Sequence, residues 1–447
     1  MMLCESKEER RDAQNLFHVL TGTILVKAGR GYHQNKTMRL EISKQQVWEA
    51  YKKVKANQGT YGVDGVNWQK FDKRLKQNLY TLWNRLSSGS YFPQAVRRVS
   101  IPKSNGGTRG LGIPTLTDRI AQEVLRSILA PYVEPRFHVN SYAYQAGKNA
   151  HQAIGECRYR TNYYSWVIDL DIKGYFDNIP HDKLMQAVKH YCPIKWMWLY
   201  IERILQSPVQ MEDGTLQPTL KGVPQGGVVS PLLSNLYLHV VFDAWIGKTV
   251  KSKFNFERYA DDIIIHCSSY AQSAFVLRSL EQRFNECGLE LHPEKTKIVC
   301  TEKQKEKRKE GESVEVFDFL GYRFQPHWFK TKEKGDKLLY DARVSPKAMQ
   351  KMIQILKYHN LHKRKQNIQA LAKELNPILR GWINYYGAFG KQALNKLYVH
   401  INQRLVKWCK WNYRKFKLEA ISWLKQKWKE MPYLFAHWQQ TSWFAIM

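Results

Sequence analysis

Two apolar runs that each meet acidic residues constrain this chain more than any other feature. Trp166-Val167-Ile168-Asp169-Leu170-Asp171 reads as a strand running into carboxylates, and Tyr259-Ala260-Asp261-Asp262-Ile263-Ile264-Ile265 as a turn feeding a buried-type strand. If the two strands are neighbours in one sheet, Asp171, Asp261 and Asp262 converge on one point. Carboxylates gathered so closely repel one another unless cations sit among them. Hard divalent ions with oxygen ligands meet that need, and Mg2+ suits it best. Two such ions about 3.5–4 Å apart can activate an attacking hydroxyl and stabilise a leaving pyrophosphate in an in-line displacement. On its own an Asp-Asp pair in a turn is more often a cap or a hydrogen-bonding turn. Asp169 competes with Asp171, because residues i and i+2 of a strand share a face and periodicity cannot choose between them.

The charge balance narrows the partner. Among 447 residues, 70 Lys+Arg oppose 39 Asp+Glu, a formal net charge of +31. Residues 349–447 alone hold 18 Lys and Arg against three acids (Glu374, Glu419 and Glu430), together with seven of the fifteen Trp. Basic side chains neutralise phosphates, and aromatic rings fill cores or stack on bases, so nucleic acid is the expected partner of this segment. A hydrophobic content of 43% with 13% aromatics excludes disorder for most of the chain. No apolar run long enough to span a membrane occurs, and the first residues have no apolar core of a signal peptide. The seven cysteines are scattered and never form a C-x-x-C pair, which speaks against a disulfide framework or a Cys-rich zinc site. A cytoplasmic protein, nucleoid-associated when on target DNA, is expected.

Along the chain, residues 1–40 are polar and carry no assignable role. A helical pattern over 41–54 (Val47, Ala50, Tyr51, Val54) stops at the glycine-punctuated loop Asn57 to Gly65, and a second helix spans 68–87. Arg97 to Lys103 reads as a strand, Ser104-Asn105-Gly106-Gly107-Thr108 as a basic hairpin tip, and 118–129 as a helix ended before Pro131. Further helices are expected from His181 to about His190, from Ser230 to Val240 and over 271–287, the last stopped by Gly288. The nearly all-charged 301–312 stretch reads as a solvated loop, and Phe317 to Phe324 as an apolar hairpin. After Ser345-Pro346 the pattern is helical, with breaks expected at Asn376-Pro377, Gly381, Gly387 and Gly390. Strands and helices alternate without a regular βαβ rhythm, which favours an α+β layer fold.

Three stretches together resemble successive palm motifs of reverse transcriptases. They are Asp171-Ile172-Lys173-Gly174-Tyr175-Phe176-Asp177, Gly222-Val223-Pro224-Gln225-Gly226-Gly227-Val228-Val229-Ser230-Pro231 and Tyr259-Ala260-Asp261-Asp262. Two more narrow the resemblance to bacterial group II intron-encoded reverse transcriptase/maturases. Tyr51 to Gly59 with Gly62-Val63-Asp64-Gly65 is similar to their N-terminal extension. Leu375-Asn376-Pro377-Ile378-Leu379-Arg380-Gly381-Trp382-Ile383-Asn384-Tyr385-Tyr386 and Pro432 to Trp438 are similar to their maturase-specific thumb. The likeness covers about residues 45–440. It implies a right-hand polymerase: an N-terminal segment 1–40, an extension 41–90, fingers and palm with an antiparallel sheet over 91–330, and an all-helical thumb/maturase and nucleic-acid-binding region over 345–447.

Position by position, the resemblance implies that Asp171, Asp261 and Asp262, helped by the Ile172 carbonyl, hold two Mg2+ ions, and it favours Asp171 over Asp169. Phe176 matches the aromatic gate that excludes a 2′-hydroxyl and so selects dNTPs. Lys103 and Arg109 match a pair that clamps the triphosphate, which two cations on a flexible hairpin are suited to do. Gln225 lies in the loop that approaches the nascent base pair. Lys295 resembles a general acid at the leaving pyrophosphate, with Lys297 close by as a rival. Phe319-Leu320-Gly321-Tyr322 looks like the primer grip. Arg97 and Arg98 are candidates for the template backbone; Arg380, Trp382 and Tyr386 are candidates for RNA contact or, equally, packing residues. The implied activity is RNA-directed DNA synthesis coupled to binding of intron RNA and assistance to its splicing and mobility, with RNA template, DNA primer or target and dNTPs as partners. A host-co-opted reverse transcriptase without an intron, and a splicing factor with little polymerase activity, are the alternatives. The absence of cysteine-pair zinc ligands and of a His-Asn-His cluster leads to the expectation of no DNA endonuclease.

Overall fold

The structure, a computed structural model, describes residues 40–102, 107–249, 255–302, 315–330, 335–361, 365–413 and 418–440. The segment 1–39, Lys103 with most of its hairpin tip, and nearly all of the charged 301–312 stretch lie outside the described residues.

Helix α1 (Lys44–Ala56) opens with a reciprocal capping box between Ser43 and Gln46 and buries Val47, Ala50, Tyr51 and Val54, the four positions expected from the sequence. The single helix expected next is two, α2 (Trp68–Lys73) and α3 (Leu75–Ser87), parted at Arg74, whose φ/ψ of −123/34 leaves the helical region. Strands β1 (Val96–Pro102) and β2 (Thr108–Ile113) pair antiparallel. Helix α4 (Leu116–Val133) runs through Pro131 instead of stopping before it. The proline sits in the last turn, where only one backbone hydrogen bond is forfeited.

Helix α5 (Ala150–Thr161) leads into β3 (Trp166–Asp171), followed by a helical turn at Tyr175–Asn178 and helices α6 (His181–Tyr191) and α7 (Lys195–Leu205). Two short strands, β4 (Val209–Gln210) and β5 (Leu216–Gln217), complete a first sheet in the order β2-β1-β4-β5. Helix α8 (Ser230–Leu238) passes through a π-helical stretch, His239–Asp243, into α9 (Ala244–Thr249). Strands β6 (Asn255–Tyr259) and β7 (Asp262–Cys267), helix α10 (Tyr270–Glu286) and strand β8 (Lys297–Cys300) build a second sheet, β6-β7-β3-β8, antiparallel throughout.

The pleat of this second sheet divides its residues between two cores. Ile168, Leu170, Ile263 and Ile265 face the large helical core built by α1, α4, α6, α7, α8 and α10. Val167, Ile264 and Val299 face the other way, against a third sheet of β9 (Phe317–Phe319), β10 (Tyr322–Phe329) and β11 (Lys337–Val344). Both faces being covered explains why β3 and β7 read as near-continuous apolar runs.

Beyond Val344 the described elements are helical: α11 (Pro346–Tyr358), α12 (Ile368–Tyr386), α13 (Asn395–Asn412) and α14 (Ala420–Glu430), with 3-10 turns between and after them. They share a core of their own, including Leu371, Leu375, Leu379, Ile401, Leu405 and Trp408. The breaks expected at Asn376-Pro377 and Gly381 are absent. The buried stripe of α12 continues through them, and the Asn376 side chain bonds Leu434 O and Ala436 N at 2.8 and 2.9 Å, pinning the helix to the C-terminal turn.

Arg258 on β6 is a fully buried charge in the second sheet. Its guanidinium makes a bidentate pair with Asp243 at 2.7 and 2.6 Å and bonds Asn235 Oδ1 at 2.7 Å, and both partners of the pair are fully enclosed. Arginine holds Asp243 well below the usual carboxylate range in spite of burial. Removing one partner leaves the other buried and uncompensated. Arg258→Ala is expected to lose about 3–5 kcal/mol in urea denaturation, whereas the double variant Arg258→Met/Asp243→Leu should regain most of that.

Candidate active site

The register of the second sheet brings the acids together. Asp171, the last residue of β3, is directly opposite Asp262, the first of β7, so their side chains leave the same face. Asp169 shares that face two residues deeper, opposite Ile264 on one side and Lys297 on the other. Asp261 sits in the two-residue turn between β6 and β7. The rivals on β3 differ in surroundings. Asp171 is 39% exposed at its side chain, whereas Asp169 is 18% exposed and 3.9 Å from Lys297.

The turn carrying Asp261 is held from beneath. Ala260 adopts φ +58, in the left-handed region that costs a non-glycine residue free energy, and its carbonyl accepts a hydrogen bond of 3.2 Å from Arg258. The buried pair of Arg258 with Asp243 thus anchors the turn. Asp243 reaches it from the π-helical stretch, where an extra residue per turn re-aims a side chain. Sequence reasoning missed Arg258, Asp243 and Asn235. An arginine adjoining the acidic turn was visible, but nothing local indicates that residues 15 and 23 positions earlier close on it.

Electrostatics shows the crowding. Burial, then the Asp169 and Asp261 carboxylates, push Asp262 up to about 8; the Leu320 amide opposes this and Asp171 adds a smaller push upward. Burial also raises Asp169 to about 7; Lys297 opposes this and Asp171 adds to it. A cluster of oxygen ligands that retains a proton near neutrality is a fit for hard divalent cations, which relieve the same repulsion. Lys295 lies beside Asp171, its Nζ 3.2 and 3.3 Å from the two carboxylate oxygens. Thr296 bonds both the backbone amide and the carbonyl of Asp171, at 3.3 and 3.2 Å, and fixes the strand end.

The other expected residues surround this point. Ile172 is buried and bridges to Leu291. Phe176 is half-buried in the turn after Asp171, and its carbonyl accepts the Val223 amide at 2.7 Å. Gln225 donates to Asp177 at 3.0 Å, joining the Pro-Gln-Gly loop to that turn. Gly222 has φ +86, and a Cβ there would come 2.8 Å from Asp177 O and 2.9 Å from Phe176 O, so only glycine permits this approach. Arg109 lies on β2, with its backbone opposite Ile101.

Arg97 and Arg98 take different positions. Arg97 bonds Tyr61 O at 2.7 Å and lies over the Tyr61 ring, tied into the loop after α1, while Arg98 is exposed and crosses Gly110. Between that loop, β2 and the Pro-Gln-Gly loop is a cavity of about 400 Å3, lined in part by Asn57, Thr60, Gly112, Arg119 and Gly226. On α12, Arg380 is exposed and Trp382 is partly buried against the helical core. Tyr386 packs on Tyr322, with ring centroids 5.5 Å apart.

A model of the reverse transcriptase (RNA-dependent DNA polymerase) family matches residues 101–324, half of the chain and all of the carboxylate cluster. The chain belongs to that family. A second model, the group II intron maturase-specific domain, matches residues 349–440. The sequence is 34% identical over 272 residues to protein YkfC of Escherichia coli, covering 52% of this chain and 70% of that one. It is 30% identical over 260 residues to the group II intron-encoded protein LtrA of Lactococcus lactis, covering 58% of this chain and 42% of LtrA. The match to an uncharacterized 91 kDa protein in the cob intron of Schizosaccharomyces pombe is 32% identical and covers 46% of this chain and 25% of that protein. The chain therefore spans less than half of these two intron-encoded relatives. The combination is consistent with a group II intron type of reverse transcriptase/maturase. Among the described residues, no helix is long and apolar enough to cross a membrane.

The raised acids set a pH dependence. A carboxyl whose folded pKa lies above its unfolded value of about 3.9 binds more protons when folded. Metal-free protein should therefore lose stability as the pH rises from about 4 through 8, and Asp262→Asn should be the more stable protein at pH 8, by on the order of 2 kcal/mol, in thermal unfolding. Mg2+ added at pH 7 should release protons from wild type, seen in calorimetry as a heat that changes with the buffer's ionisation enthalpy.

Proposed function

We propose that the protein copies RNA into DNA at the carboxylate cluster, and binds a group II intron RNA to assist its splicing and mobility. The convergence of Asp171, Asp261 and Asp262 at the end of the second sheet carries the reading. These three, with the Ile172 carbonyl, would hold two Mg2+ ions, which when bound activate the primer 3′-hydroxyl and neutralise charge on the leaving pyrophosphate.

The chain's own residues supply positioning and charge. Lys295, an ammonium beside Asp171, is placed to pass a proton to the departing pyrophosphate. Phe176, held by the Val223 amide, lies under the incoming sugar and excludes a 2′-hydroxyl, while Gln225 and the glycine backbone beside it approach the nascent pair. Arg109, with Lys103, closes on the triphosphate. In this reading the first sheet with α1 to α4 forms the fingers, the second sheet the palm and α11 to α14 the thumb. Template RNA passes Arg97 and Arg98 beside the cavity, and the basic C-terminal helices with Arg380 and Trp382 grip the duplex and intron RNA.

Primer extension on an RNA template with dNTPs and Mg2+ tests the polymerase. Asp261→Ala/Asp262→Ala should reduce extension by at least about 10³-fold while RNA binding persists. Phe176→Ala should raise the use of rNTPs relative to dNTPs by roughly 10–100-fold. RNA affinity should fall steeply with salt, each neutralised phosphate adding about 0.7–0.9 to the log–log slope. Splicing of a group II intron at near-physiological Mg2+, with and without the protein, tests the maturase role.

A further inference from the structure

Asp262 has a second support that comes from the far end of the chain. Strands β9 and β10 are joined by Leu320-Gly321, both left-handed, at φ +51 and +80. The Leu320 amide acts on the Asp262 carboxyl and lowers its pKa, against the burial and carboxylates that raise it. The carbonyl of the same residue accepts a hydrogen bond of 2.9 Å from the Tyr385 hydroxyl, on the last turn of α12 and within the maturase-specific match. Left-handed backbone at a leucine is unfavourable by itself, so the turn needs an outside bond to hold it.

Tyr385 is well placed to be that bond because it is itself fixed. Its carbonyl accepts from the Tyr322 hydroxyl and lies 2.9 Å from His151 Nε2, and its ring stacks on His151 with centroids 5.2 Å apart. Tyr386 closes the other side of the turn: a Cβ on Gly321 would meet its hydroxyl at 3.0 Å. Burial, with Tyr386, Tyr259 and Asp262, pushes the Tyr385 hydroxyl pKa up, which keeps it a proton donor at any working pH.

We propose that Tyr385 is a positioning residue of the polymerase centre, acting through the Leu320 turn to orient the Asp262 carboxylate for metal. Its hydroxyl fixes the Leu320 carbonyl, and so holds the left-handed conformation of the turn whose Leu320 amide meets Asp262. The maturase-specific region thereby completes a site whose ligands all lie outside it. The proposal rests on the reading of Asp262 as a metal ligand.

Tyr385→Phe tests it in the full-length protein, because it keeps the ring and removes only the donor. For primer extension, kcat should fall about tenfold with the KM for dNTP and the affinity for template-primer within about twofold, and the Mg2+ concentration giving half the maximal rate should rise at least about threefold. Without any catalysis, amide exchange across 317–324 should be at least about fivefold faster, and Mn2+ binding followed by electron paramagnetic resonance weaker by about threefold or more. Wild-type exchange and wild-type Mn2+ affinity in Tyr385→Phe would overturn the proposal, as would a loss of kcat accompanied only by a lower melting temperature. A wild type that binds Mn2+ but never extends primers would instead count against the polymerase reading, leaving exchange and Mn2+ binding to decide Tyr385. If Tyr385→Phe does not fold, Leu320→Val, whose β-branched side chain tolerates φ +51 still less than leucine, strains the turn without touching α12. It should weaken Mn2+ binding likewise, and unchanged binding there would also overturn the proposal.

Discussion

The bidentate pair of Arg258 with Asp243 is the interaction on which the site depends. It is buried completely, so each charge is tolerable only in the presence of the other, and it places a guanidinium directly under the turn that carries Asp261 and leads into Asp262. One of its nitrogens holds Ala260 in a backbone conformation that alanine does not favour. Above that anchor, Asp261 and Asp262 are presented at the mouth of the sheet. The π-helical stretch that supplies Asp243 and the strand that supplies Arg258 are thereby locked to one another, and β7 follows from β6 by a two-residue turn.

The second constraint is repulsion. Three carboxylates crowd Asp262, and the cost appears as the proton it keeps near neutral pH. The surroundings are arranged to contain that cost rather than remove it. Lys295 stands beside Asp171, Lys297 beside Asp169, and a single backbone amide meets Asp262 from Leu320. Such partial compensation would suit a group that, as proposed, gives up its proton to a cation: full pairing with arginine, as Asp243 has, would leave no ligand to give.

Much of this was legible in the chain. The apolar runs ending in acid, the buried positions of α1 and the apolar hairpin at Phe317 all follow from periodicity, which depends only on neighbours a few residues away. Proline and glycine misled where tertiary packing outweighed local preference. Pro131 falls in the last turn of α4, and Pro377 and Gly381 lie in a helix held by the Asn376 side chain and a continuous buried stripe. The choice between Asp169 and Asp171 was closed to periodicity, since both share a face, and their different exposure emerged from the position of β8 alongside β3.

The sequence by itself determined which residue types were available for the chemistry, and that Asp171 and Asp261-Asp262 adjoin apolar runs whose alternation marks them as strands. It also determined the family, through motifs whose spacing is local. Only the tertiary structure decided which carboxylates meet and what holds them. Asp171 and Asp262 are 91 positions apart in the chain and become neighbours through an antiparallel register. Arg258, Asp243 and Tyr385 acquire their roles from contacts across 15 to 65 residues. Long-range pairing of that kind reflects how whole layers pack, and no window of sequence a few residues wide contains it.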